Sequence, residues 1–175
     1  MTSSDDLFVF YDTETTGLDI NFSQIIQIGS VLTDSNFKIL DELNLSSQVL
    51  PWVVPSPDAF LVHKQTDCLE NGLSHFDMMR TLREKWLSWG KEKNLIFVSY
   101  NGHRFDEELV RRQFYWNLFD PYITNTNGNR RLDLMSLFQI IGNFFDSKIK
   151  VPKDDEENIS LKLTDLAKEN NISVE

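Results

Sequence analysis

Asp12 and Glu14 stand two residues apart in LFVFYDTETTGLD (residues 7–19), directly after five consecutive apolar residues, Leu7 to Tyr11. An apolar run of that length bounded by polar residues reads as a strand buried on both faces, although periodicity alone does not separate it from a short buried helix. On a strand, side chains two apart share a face. The two carboxylates then lie side by side and repel each other unless a cation sits between them. Two readings stay open: a solvated turn after a strand, or a divalent-metal site with hard oxygen ligands, which suits Mg²⁺ or Mn²⁺ better than zinc. Asp106 is a third carboxylate of interest, because it opens a helical pattern just after the apolar run at residues 95–98. Active sites of open α/β sheets gather at such strand ends. If the two apolar strands are neighbours, Asp106 closes on Asp12 and Glu14. A pair of divalent ions about 4 Å apart can activate a water and stabilise the leaving oxygen of a phosphodiester.

The elements that must position these acids are readable in outline. QIIQIGSVLTD (24–34) and KILDELNLSSQV (38–49) carry short apolar runs around the turn-like DSN (34–36), which predicts two further strands joined as hairpins. Three prolines in PWVVPSP predict an irregular connection over residues 51–66. Ser74 precedes apolar residues at Phe76, Met79, Leu82, Trp86 and Trp89, the spacing of one helix face ending near Gly90. Residues 95–116 repeat the opening logic of strand, turn and helix, with Phe105, Leu109, Val110 and Phe114 as the apolar stripe. RRLDLMSLFQIIGNFF (130–145) predicts a short strand or turn and then a helix, and SLKLTDLAKENN (160–171) a last amphipathic one. Three antiparallel strands followed by alternating helix and strand imply an α/β fold around a mixed sheet flanked by helices.

With 175 residues and 41% hydrophobic composition, the chain can bury one substantial core. No apolar stretch reaches the length of a membrane helix and no basic-then-apolar leader opens the sequence, so the expectation is a cytoplasmic protein without membrane contact. Cys68 has no second cysteine to pair with and reads as a packing residue. A formal net charge of −10 argues against a general nucleic-acid binder. The arginines nevertheless cluster: Arg104, Arg111, Arg112, Arg130 and Arg131 all fall between positions 104 and 131, while KDDEEN (153–158) reads as a solvated acidic loop.

FYDTETTGL together with YNGHRFDEELVRRQFYWNLFDPY closely resembles the bacterial exonuclease I family, a branch of the DEDD superfamily of 3′–5′ exonucleases with a ribonuclease H-like fold. The resemblance runs from about Leu7 to Ile172. It implies a single exonuclease domain over residues 1–175, two Mg²⁺ ions with Mn²⁺ as a substitute, and single-stranded DNA as substrate. It also implies release of nucleotide 5′-monophosphates, a role in DNA repair, and a single-stranded-DNA-binding protein as a partner through further domains. Carried over by position, Asp12, Glu14 and Asp106 are the catalytic metal ligands, and Glu14 also approaches the terminal 3′-hydroxyl. Thr15, Thr16 and Gly17 bring backbone close to the terminal nucleotide, although Gly17 is equally an ordinary turn glycine. His63 lies in the segment that covers the terminal base in related enzymes, against the plainer reading of a surface or core histidine. Asn101, Arg104 and Phe105 frame the second acid in the pattern N-x-x-R-F-D. Arg111 and Tyr122 match positions along the DNA strand, by charge and by stacking.

Lys162 stands where the family has an arginine, keeping the charge and losing the bidentate fork. Asp133 matches a family aspartate, though helix capping explains it as well. The largest departure is that H-D-A-x-x-D, which supplies a histidine base and a fourth aspartate, does not occur, and none of His63, His75 and His103 stands in a replacement motif. The expectation is therefore an N-terminal fragment, truncated before its last motif and helix, that is weakly active or inactive. Two rivals remain open: an exoribonuclease of the same superfamily, and a non-catalytic domain that binds nucleic acid or protein.

Overall fold

The computed structural model describes residues 6–63, 71–145, 148–153 and 158–173, with the side chains of Phe60, Val62 and His63 outside that description. Five strands, β1 (Leu7–Thr15), β2 (Ile25–Thr33), β3 (Ile39–Ser46), β4 (Leu95–Ser99) and β5 (Arg130–Asp133), form one sheet in the order β3-β2-β1-β4-β5. β1 pairs antiparallel with β2, β2 antiparallel with β3, and β1 parallel with β4, Phe10 opposite Val98. The mixed sheet expected from the sequence is thus present, with its first and fourth strands as neighbours.

β1 alternates rather than burying both faces equally. Leu7, Val9 and Tyr11 are buried, whereas Phe8 and Phe10 are half-buried. Helices α1 (Pro57–His63), α2 (His75–Trp89), α3 (Asp106–Trp116), α4 (Leu134–Phe144) and α5 (Leu163–Glu169) follow the hairpins. The prolines that predicted an irregular connection end it early. Pro57 opens α1, where a missing N–H costs nothing and the fixed φ suits a helix start.

α2 has the anticipated punctuation. The Ser74 hydroxyl accepts from the Asp77 amide and Gly90 closes the helix. Its inward face differs by one position, since Phe76 is left open and Met78 joins Met79, Leu82, Trp86 and Trp89 in the core. At the centre of that core, the Trp86 ring meets Phe97 edge-on at 4.8 Å, Tyr11 at 5.5 Å and Phe114 at 6.1 Å, and its indole N–H donates to Ser30 at 3.3 Å. These edge-to-face rings fix one another in place as well as excluding water.

The chain divides into two compact units, residues 1–132 and 133–175. In the second, Asp133 caps α4 by accepting from the Met135 and Ser136 amides at 3.0 and 3.3 Å, the capping role its sequence position allowed. Within the same unit Asn170 and Lys150 exchange backbone-to-amide bonds at 2.9 and 2.7 Å. Among the described residues no helix is long and apolar enough to cross a membrane.

Candidate active site at the ends of β1 and β4

The parallel pairing of β1 with β4 brings the ends of both strands to one edge of the sheet, and this is what gathers the acids. β4 leads into Asn101, held in the left-handed region at φ 59°, a conformation that asparagine tolerates better than most side chains. A short 3₁₀ turn, Gly102–Arg104, then sets Asp106 as the first residue of α3. Gly102 is required there. A Cβ at this position would collide with the Ser99 side chain, lying 2.5 Å from its Cβ, and would come within 3.2 Å of the Asp106 carboxylate.

Asp106 is buried, and its contact is not the one the spacing suggested. The Thr13 hydroxyl, from the residue between Asp12 and Glu14 and on the opposite face of β1, donates to its Oδ1. Burial pushes the Asp106 carboxyl up to about 6; the negative charge of Asp12 adds to the rise and the Thr13 bond opposes it. Asp12 is also raised, chiefly by partial desolvation. Across the ladder from Asp12 stands Gly29, where a Cβ would touch nothing, so the space beside the carboxylate is open. Glu14 is half-buried, next to a register shift in the β1–β2 ladder between Glu14 and Thr15. Asp12 and Asp106 thus share one electrostatic environment, but among the described residues no three His, Cys, Asp or Glu side chains are gathered into a metal cage. The donor set fits a hard cation nevertheless. Mg²⁺ is commonly held by one or two carboxylates with substrate phosphates completing the shell, and a buried carboxylate raised further by a neighbouring charge, as Asp106 is by Asp12, gains from a positive ion.

The loop after β1 is tied down by its own polar groups. Thr15 donates to the Gly17 carbonyl at 2.8 Å, the Thr16 hydroxyl accepts from the Gln24 amide at 2.9 Å, and the Thr16 carbonyl accepts from Ser56 at 2.7 Å. A Cβ on Gly17 would stand 3.1 Å from the Ser23 hydroxyl, so close packing inside the loop accounts for this glycine by itself. Two fully buried glutamines brace the loop, Gln24 accepting from the Leu50 amide at 2.8 Å and Gln113 from the Ile25 amide at 3.0 Å. Neither was singled out in the sequence, where a glutamine between apolar residues carries no distinctive spacing.

The arginine cluster dissolves into separate pairings. Arg130 pairs with Asp6 at 2.6 Å, Arg131 with Glu107 at 3.1 Å, Arg111 with Glu108 at 2.6 Å, and Arg112 donates to Asn21 at 2.8 Å. Arg104 is exposed, Asn101 is exposed, and Phe105 packs partly against the core. The guanidinium of Arg111 lies 4.9 Å above the Tyr122 ring, so the two residues expected along a DNA strand do meet. They line a shallow cavity of about 350 Å³ with Arg112, Tyr115 and Trp116. Trp116 also borders a second basin of about 870 Å³ whose walls include Phe22, Trp52, Val54 and Phe76. Lys162 belongs to the second unit, where its carbonyl accepts the first bonds of α5. The expectations for the His63 side chain, for Cys68 and for residues 154–157 of the acidic loop lie outside the described residues.

Comparison with known proteins follows the same lines. The chain is 31% identical over 173 residues to exodeoxyribonuclease I of Buchnera aphidicola subsp. Acyrthosiphon pisum, covering 94% of this chain and 40% of that protein. It is 29% identical to exodeoxyribonuclease I of Haemophilus influenzae, covering 96% and 36%. The chain thus spans well under half the length of these relatives. Among solved structures, a product-bound exonuclease I superposes with a TM-score of 0.86 at 24% identity over 97% of this chain and 39% of the other. Escherichia coli exonuclease I in complex with a dT13 oligonucleotide gives 0.85 at 24% identity, over 96% and 36%. These superpositions establish the ribonuclease H-like fold expected from the sequence. With residues 9–172 matching it, the chain belongs to the exonuclease family.

Proposed function

We propose that this chain is the catalytic portion of a 3′–5′ exodeoxyribonuclease that shortens single-stranded DNA and releases nucleotide 5′-monophosphates. The observation that carries the reading is the placement of the buried Asp106 carboxylate, held by the Thr13 hydroxyl next to Asp12 in the chain, at the ends of two adjacent parallel strands. Asp12, Glu14 and Asp106 are the residues that would hold divalent ions, and Mg²⁺ or Mn²⁺ bound there would supply an activated water and charge stabilisation for the leaving oxygen. The protein's own part is to orient. Thr13 fixes the Asp106 carboxylate, the braced Thr15–Gly17 loop presents backbone to a terminal nucleotide, and Arg111 with Tyr122 offers a flat cationic surface for an unpaired base.

No H-x-x-x-x-D pattern occurs in the sequence, so no histidine base is available in the arrangement the resemblance implies. General-base catalysis is worth typically about 10²–10⁴-fold, so slow turnover is the expectation for these 175 residues on their own. A solved relative is described as a complex of exonuclease I with SSB-Ct, which supports a single-stranded-DNA-binding protein as a partner of the longer enzyme.

The test uses 5′-labelled and 3′-labelled DNA and RNA oligonucleotides of one sequence, with Mg²⁺ present and then chelated. Progressive shortening of 5′-labelled DNA with early release of the 3′ label as mononucleotide is expected. Faster loss of RNA would make the protein an exoribonuclease, and no Mg²⁺-dependent cleavage at any enzyme concentration would leave a binding domain.

A further inference from the structure

Glu107, the residue after Asp106, is completely buried, an unusual place for a carboxylate in the first turn of a helix. Three elements supply donors to it. The Tyr11 hydroxyl donates to Oε2 at 2.9 Å, while the Thr124 hydroxyl at 2.5 Å and the Arg131 guanidinium at 3.1 Å share Oε1. An ionised carboxylate is acceptor-only and matches three donors, which an amide of the same shape does not. Arg131 also pairs with the carboxylate as its counter-charge.

Tyr11 is the residue before Asp12. Its ring is held edge-on by Trp86 at 5.5 Å and Phe97 at 6.3 Å, so its hydroxyl has little freedom to follow a moving partner. The Tyr11–Glu107 bond therefore joins the immediate chain neighbours of Asp12 and Asp106. Consecutive Cα atoms are a fixed 3.8 Å apart across a trans peptide, and a slip between Tyr11 and Glu107 is passed directly to Asp12 and Asp106.

We propose that Glu107 is a positioning residue: by clamping Tyr11 it fixes the separation of Asp12 and Asp106 and so sets how well the pair takes a divalent ion. The inference rests on the metal-site reading above and goes beyond it in naming what sets the spacing. Groups that orient metal ligands from behind typically contribute about 10–100-fold in metal affinity.

The experiment compares Tyr11→Phe, Glu107→Gln and, as a core control away from the acids, Leu82→Val. Amide hydrogen exchange is measured without metal, and Mn²⁺ affinity by electron paramagnetic resonance. In Tyr11→Phe, which keeps the ring and its packing, exchange at residues 12–15 and 106–109 should quicken while the rest of the sheet keeps its protection, and Mn²⁺ should bind about tenfold more weakly. Glu107→Gln should do the same, and Leu82→Val should lower protection throughout while leaving Mn²⁺ affinity unchanged. Uniform loss of protection in Tyr11→Phe, or unaltered Mn²⁺ affinity beside a wild type that binds it, overturns the clamp. Should the wild type take no Mn²⁺, the metal-site reading fails, and the exchange pattern still decides whether Glu107 couples the two segments.

Discussion

The Thr13 hydroxyl donates a hydrogen bond to the Asp106 carboxylate, linking the middle of the D-T-E triplet on β1 to the first residue of α3. Both residues are buried, so the bond is made where an unmet acceptor is costly. Thr13→Val keeps the shape and removes the donor. It should cost about 1–3 kcal/mol of stability and lift the Asp106 carboxyl further above about 6, since the Thr13 bond now holds it down. Chemical denaturation and a carboxyl-detected NMR titration read the two effects, and an unchanged titration would contradict the assignment.

Asp106 itself should be a stability liability without metal. Its folded carboxyl binds a proton more tightly than the unfolded one does, so the associated stability is full below about pH 4 and is lost as pH rises through about 6. At pH 7.5 the deficit amounts to as much as about 3 kcal/mol. Asp106→Asn should therefore melt higher than wild type at pH 7.5 in chelator, and Mg²⁺ should close the gap by stabilising only the wild type. A variant that melts lower in chelator would show that the carboxylate is already compensated.

His75 works with the opposite sign. Burial lowers its pKa to about 4, and the Gln24 amide group 3.4 Å from Nδ1 favours the neutral ring with that nitrogen as acceptor. The unfolded histidine takes a proton near pH 6.5, so stability declines as pH falls from about 6.5 towards 4. His75→Leu should flatten that part of the urea-midpoint profile between pH 6.5 and 4, leaving the rise expected from Asp106 on acidification more visible. A profile unaffected by the substitution would place the buried histidine's proton elsewhere.

At the Arg111–Tyr122 pair proposed to meet DNA, Arg111→Ala should weaken binding of a single-stranded oligonucleotide and reduce the slope of log affinity against log salt by about 1. Tyr122→Leu should cost about 1–3 kcal/mol of binding with the salt slope preserved, because stacking releases no counterions. Fluorescence anisotropy at several salt concentrations separates the two. Identical behaviour of the variants would mean that the Arg111–Tyr122 pair acts as a structural unit and not as two contacts.

Much of this architecture was legible in the sequence because its signals are local. Apolar runs marked β1, β2 and β4, Ser74 and Gly90 bracketed α2, and the D-x-E pair and Asp106 marked the ends of two strands that prove to be neighbours. What stayed hidden depends on partners distant in the chain. Glu107 resembles any acid placed favourably in a first helical turn, and only the folded neighbours Tyr11, Thr124 and Arg131 make it a buried hub. The arginines looked like a cationic patch, since sequence records charge but not the carboxylates that meet it. α1 was masked by three prolines, each a breaker inside a helix and a starter at its first position.

The basin walled by Phe22, Trp52, Val54 and Phe76 also bears on how these 175 residues behave at high concentration. Phe22 is 76% exposed, Trp52 74% and Val54 90%, a contiguous sticky surface on a molecule that carries a net charge of −10 at neutral pH. Like charge keeps such molecules apart only while the charge lasts and salt does not screen it. Titration towards the isoelectric point near 4.7 removes the barrier and leaves the sticky patch. Light scattering should accordingly climb on acidification or in strong salt, and Trp52→Ser should delay its onset.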